Sequence, residues 1–198
     1  MTVAPDLSAL LASRICHDLI SPLGAIGNGL ELMRMAGTTR GPEADLIAES
    51  VLSASARIRF FRVAFGAAAL GQRMGRPEIL SILADMTAGS RLRIDWQPMG
   101  DLPRHEVRLA FLLLQCLETA MPYGGAITVT CEGGMWEMTG LAPRLRIETD
   151  LWDGLEDPSL APPPAAAQVH FALVPPELRA QGRSLRVETT ETRIRLRY

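Results

Sequence analysis

Apolar residues recur at Leu7, Leu11, Ile15, Leu19, Leu23, Ile26, Leu30 and Met33, in steps of three and four that trace one face of a helix. Asp6, after Pro5, is placed as its N-cap. A second helix is expected from Pro42, whose fixed φ suits a first turn. Its apolar positions Ala44, Ile47, Val51, Ala54, Ile58, Phe61 and Phe65 alternate in the same steps. The intervening AGTTRG reads as a short turn, so residues 1–70 are predicted to fold back as an antiparallel helical hairpin. Such a hairpin cannot bury both stripes within itself, whereas two copies together make a four-helix bundle. A homodimer is the expectation; the alternative is that the hairpin packs on the rest of its own chain.

The small, Gly-rich stretch GAAALGQRMGR (66–76) ends that periodicity and marks a boundary, with a second domain over 76–198. A short helix near Glu78–Met86 is followed by a strand over 91–97 and a helix over about 103–121. AITVTCE (126–132) and MWEMT (135–139), separated by Gly133-Gly134, read as a tight hairpin, and RLRIETD (144–150) as a further strand. After a proline-rich loop, AQVHFALV reads as a helix that Pro175-Pro176 must end or kink, and SLRVETT with RIRLRY closes as a second hairpin. The fold class is α+β: a helical hairpin forming a dimeric bundle, then a sandwich of helices on a mostly antiparallel sheet.

Composition narrows the possible partners. Of 198 residues, 47% are hydrophobic and 21% charged, enough to bury a core. The formal charge is −2 and all 20 basic residues are Arg. Because no run of like charge marks a polybasic arm, nucleic acid is not an expected partner. Cys16, Cys116 and Cys131 have no metal-type spacing, and their odd number argues against a disulfide framework, which points to a reducing cytoplasm. The N-terminus lacks the pattern of a signal peptide, and the run Leu109 to Leu114 is far short of the ~20 residues that cross a bilayer.

The candidate chemistry lies in HDLISPL, residues 17 to 23. His17 is two residues from both Ile15 and Leu19, about 200° from the apolar face at ~100° per residue, and so points at solvent. Ser21 follows one turn on, then Gly24 and Asn28, with Arg14 one turn before, so the stripe through His17 is small or polar. That low relief suits the approach of a second protein's active site, with Arg14, Ile20, Gly24 and Asn28 as candidate docking residues. Mid-helix glycine costs about 0.5–1 kcal/mol relative to Ala, and for Gly27 and Gly29 close approach of bundle helices is the simpler account. Pro22 removes one helical hydrogen bond and should kink the helix just past the histidine.

A neutral imidazole can attack phosphorus through one nitrogen while the other keeps its proton, and its near-neutral pKa makes it available in cytoplasm. Asp18 can accept that second N–H and stabilise the charge that develops, and Ser21 can hydrogen-bond a phosphoryl oxygen. His17, Asp18 and Ser21 are therefore the candidate catalytic residues. His105 and His170 lack any cysteine or carboxylate pattern and read as surface or core residues, and Trp96, Trp136 and Trp152 as packing residues.

The order His17, Asp18, Ser21, Pro22, Leu23 resembles the phosphoacceptor box of two-component histidine kinases, and residues 76–198 resemble the kinase ATPase domain in order of elements. The longer fragment SRICHDLISPLGAIGNGLELM is closely similar to the ChpT family of alphaproteobacterial phosphotransferases. That resemblance implies a phosphorelay carrier that takes phosphate from the receiver domain of a hybrid kinase and passes it to response regulators of the cell cycle or motility. The ATPase likeness departs where nucleotide would bind. Gln115 and Thr119 replace the expected asparagines, Asp150 is followed by LWDG in place of a G-x-G pattern, and the lid region contains Pro162, Pro163 and Pro164. The resemblance therefore implies a degenerate ATPase-like domain, no ATP use, no cofactor of its own and Mg²⁺ supplied by the receiver. An active kinase with an atypical ATP site, and a non-catalytic receiver-binding scaffold, are the competing readings.

Overall fold

A computed structural model describes residues 7–37, 41–69, 71–163 and 165–198. Helix α1 spans Leu7–Met35 and α2 spans Pro42–Ala64. The first runs unbroken through Pro22 and ends where Gly37 takes φ 70°, a left-handed value suited to glycine. Asp6 and the turn residues Thr38, Thr39 and Arg40 lie outside the described residues. Arg34 pairs with Asp45 at 2.9 Å, and a Cβ on Gly27 would sit 3.4 Å from Val51 Cγ1, which fixes the antiparallel register of the hairpin.

The apolar stripe is only half covered by this pairing. Ala44 and Ala56 are buried and Leu23, Leu30 and Val51 half-buried, whereas Ile15, Leu19, Ile26 and Met33 remain 46–52% exposed. At its other end α2 enters a second core: Phe60, Val63 and Ala64 are buried, and Phe60 stacks on Phe111 at 4.7 Å between ring centroids.

The rest of the chain is a helical layer on a sheet. Strand β1 (Arg73–Met74) precedes α3 (Arg76–Thr87), β2 (Leu92–Trp96), β3 (Leu102–Pro103) and α4 (Arg104–Ala120). Then come β4 (Gly125–Glu132), β5 (Met135–Leu141), α5 (Thr149–Glu156), α6 (Val169–Ala180), β6 (Arg186–Thr189) and β7 (Arg193–Arg197). Five strands form one sheet in the order β2-β4-β5-β7-β6, parallel between β2 and β4 and antiparallel elsewhere. The alternation of each strand gives the sheet one apolar face, with Ile127, Val129, Trp136, Met138, Ile194 and Leu196 buried in one cluster with α4 and α6. Trp136 anchors it, lying 5.6 Å from Trp96 and 6.0 Å from Tyr198, with its indole N–H donated to Glu106 at 2.9 Å. Trp96 and Trp152 are likewise buried.

Three expectations change. Residues 144–148 form no strand, because β5 is already paired on both edges by β4 and β7. The segment lies instead along the end of α4, where Arg146 N–H donates to Ala120 O at 2.9 Å, and it leads into α5, whose Leu151, Trp152 and Leu155 are buried. Pro175 and Pro176 do not end α6, which continues to Ala180; two backbone bonds are forgone while Val174, Pro175 and Leu178 keep the helix buried. Within 66–76, Arg73–Met74 pairs antiparallel with Leu102–Pro103, and Met74 is buried. Among the described residues no helix is long and apolar enough to cross a membrane.

Candidate functional site

His17 is exposed on α1, and Ser21, Gly24 and Asn28 follow it on the same exposed side. Among the described residues nothing approaches within 4 Å of a Cβ built on Gly24, so the stripe is low there. Ile20 is half-buried and Cys16 buried, turned toward α2, where burial pushes the Cys16 thiol pKa up and the Arg62 charge pulls it back in part. Asp18 and Arg14 lie within the helical backbone of α1, but their side chains are outside the described residues. Beside the stripe, α1 and α2 enclose a groove of about 520 Å³ lined by Gly24, Asn28, Leu30, Val51 and Leu52 among others. Close helix approach within the hairpin explains Gly27, which meets Val51, whereas none of the described residues of the chain lies within 4 Å of a Cβ on Gly29.

Register sets where His17 stands along the hairpin. From Gly27 against Val51, ten residues back on α1 and ten forward on α2 bring His17 level with Phe61. That is one turn from the end of α2, where the helix joins the second core. At the same level a cleft of about 480 Å³ opens between α2 and the second domain, lined by Phe61, Phe65, Gln115, Glu118, Thr119 and His170.

Gln115 and Thr119 sit on α4, where the Thr119 hydroxyl links the backbone to His170 and the Gln115 side-chain oxygen is buried with no hydrogen-bond partner among the described residues. The Thr119 hydroxyl donates to Gln115 O at 2.9 Å and lies 3.2 Å from His170 Nε2. His170 is 5% exposed and burial pushes its pKa down to about 4. Asp150 is exposed in the first turn of α5, while the adjacent Trp152 is buried and meets Phe171 edge-on at 5.5 Å. Among the described residues no group of three or more His, Cys, Asp or Glu could hold a metal ion.

Because His170 is neutral in the fold and titrates near 6.5 when unfolded, the unfolded chain binds more protons between those values. Stability from this residue is complete above about pH 6.5 and falls by roughly 2–3 kcal/mol toward pH 4. Urea unfolding at a series of pH values should show this slope in the wild type and a flatter one in His170→Gln. Equal slopes would contradict the assignment.

Sequence reading missed the two arginines that open α4. Arg104 reaches Arg62 O at 3.0 Å and Ala67 O at 3.2 Å, and Arg108 reaches Ala64 O at 3.4 Å. A signal was present in RHEVRLAFLLLQ: charges four residues apart at the head of an otherwise buried helix must have partners.

Residues 76–193 match the family model described as the histidine phosphotransferase C-terminal domain. Over 132 residues the chain is 40% identical to the protein phosphotransferase ChpT of Brucella abortus (strain 2308), a match covering 66% of this chain and 63% of that relative's length. A solved structure of a bacterial phosphotransferase superposes with a TM-score of 0.69 at 29% identity, covering 100% of this chain and 97% of the other.

Proposed function

This chain belongs to the histidine phosphotransferase family, and on that premise we propose that it carries phosphate on His17 between receiver domains in a bacterial phosphorelay. The observation that carries the reading is the exposure of His17 on a stripe whose next turns are Ser21, Gly24 and Asn28. In the forward step a ring nitrogen attacks the phosphorus of a receiver aspartyl phosphate. The N–P bond forms as the O–P bond breaks and the aspartate departs as carboxylate. The second ring nitrogen keeps its proton, and Asp18, the next residue, is assigned to accept a hydrogen bond from that N–H and balance the charge on the ring. Ser21 is assigned to the phosphoryl oxygens. Mg²⁺ belongs to the receiver, where it neutralises phosphoryl charge. The reverse step passes the group to the aspartate of a response regulator.

Residues 1–70 are the phosphoacceptor hairpin in this reading and 76–198 a docking unit that does not use ATP. Thr119 is engaged with the Gln115 backbone carbonyl and the His170 ring, and Trp152 turns inward two residues from Asp150, which supports that reading. A second copy of the chain is the proposed cover for Ile15, Leu19, Ile26 and Met33, giving a four-helix bundle with two phosphoacceptor histidines. Arg14, Ile20, Gly24 and Asn28 are the proposed docking residues, and the cytoplasm the proposed compartment.

The test offers the chain two phosphate sources separately: a phosphorylated receiver domain and Mg-ATP. Acid-labile label should come from the receiver alone. Label drawn from Mg-ATP would make the chain a kinase, and label from neither source would leave a scaffold.

A further inference from the structure

Two guanidinium groups of α4 are spent on the end of α2 and the segment that follows it. Arg104 donates to Arg62 O at 3.0 Å and Ala67 O at 3.2 Å, and its remaining terminal nitrogen lies 3.3 Å from Met74 Sδ. Arg108 donates to Ala64 O at 3.4 Å and pairs with Glu177 of α6 at 3.3 Å, both side chains being 12% exposed. Gln181 then donates to Glu177 at 3.1 Å and to His105 O at 2.9 Å, tying the far side. The last carbonyls of a helix have no partner within it and carry the negative end of its dipole. Forked cations across them form a clasp that is directional as well as strong. Phe60 stacked on Phe111 closes the same junction.

The clasp lies close to the phosphoacceptor. His17 is level with Phe61, three residues before the end of α2, or about 4–5 Å at ~1.5 Å per residue. A globular partner of ~100 residues has a radius of gyration of about 13 Å. A domain of that size centred on His17 overhangs the end of the hairpin and meets the second domain beside the cleft formed by Phe61, Gln115 and His170. If that second surface swung freely, each docking event would have to order it, and the cost would appear in affinity.

We infer that Arg104 and Arg108 are positioning residues for phosphotransfer: they hold the second domain at a fixed place beside His17, so that a receiver meets both as one pre-formed surface. This rests on the phosphotransfer reading above. Neither arginine touches the phosphoryl group, so the effect belongs to docking and not to the chemical step.

The experiment measures label uptake by full-length wild type, Arg104→Gln and Arg104→Lys from two donors: a phosphorylated receiver at varied concentration, and the small phosphodonor phosphoramidate. Arg104→Gln should raise KM for the receiver about tenfold while leaving the saturated rate, and the rate from phosphoramidate, at wild-type values. The lysine variant, which keeps the charge but loses the fork, should give a smaller rise and retains the answer if the glutamine variant fails to fold. An unchanged KM in the folded variants overturns the inference, as does an equal loss of rate with both donors. If the wild type takes label from neither donor, the phosphotransfer reading itself falls; wild-type transfer with unaltered variants removes this inference alone.

Discussion

Replacing His17 by alanine should abolish acceptance of phosphate while leaving the fold intact. The side chain is exposed on a long helix, and alanine is the best helix former, so α1 should gain a few tenths of a kcal/mol if anything changes. The proposed nucleophile, by contrast, has no substitute among the described residues. With His17 removed, Ser21 is not activated by any base that the described residues bring to it, and His170 is buried with its Nε2 hydrogen-bonded to the Thr119 hydroxyl. Uptake from a phosphorylated receiver should therefore fall at least ~10³-fold, to background. Gel autoradiography of wild type and variant, with circular dichroism as the fold control, decides it. Label persisting on the alanine variant would mean a different acceptor and would overturn the assignment of His17. The companion Asp18→Asn should still accept label, at a rate reduced roughly 10-fold or more, because the amide cannot balance the charge on the ring.

The second large effect concerns stability. Gly124 joins α4 to the sheet with φ 90°, in the left-handed half of the map. A Cβ there would lie 2.4 Å from Arg91 Cβ and 2.6 Å from Arg91 O, and the latter accepts the Gly125 N–H at 3.1 Å. Gly124→Ala thus combines backbone strain with a collision against main chain that cannot move without parting β2 from β4. The expected loss is about 3–5 kcal/mol, a large share of the 5–15 kcal/mol typical of a domain. Urea titration should show the midpoint drop sharply. Gly24→Ala is the matched control, since its Cβ meets nothing and helix propensity favours the substitution by about 0.5–1 kcal/mol. Equal behaviour of the two variants would refute the steric argument.

Periodicity made the longer elements legible. The three-and-four spacing of α1 and α2, the alternation of β4 and β5, and the Gly133-Gly134 turn with φ 56° and 83° all follow from local sequence. The alternating segment 144–148 misled because alternation reports which side chains face inward and not whether a neighbouring strand edge is open. The helix α5 is short, and its Leu151, Trp152 and Leu155 are too few to establish a period. The continuation of α6 through two prolines depends on burial between α4 and α5, which no local rule contains. At the candidate site, the exposed stripe through His17 was legible for the same helical reason. The clasp of Arg104 and Arg108 was not, because the carbonyls it holds lie 37 to 44 residues earlier, at the end of α2 and just after it.

The last two turns of α2 belong to the hairpin by sequence and to the second core by packing, which bears on how the chain comes into being. Synthesis proceeds from the N-terminus at about 5–20 residues per second. The hairpin is complete at Ala64, but Phe60 must wait for Phe111, and the carbonyls of Arg62 and Ala64 for the arginines of α4. For several seconds the nascent hairpin therefore carries a bare apolar end as well as an open flank.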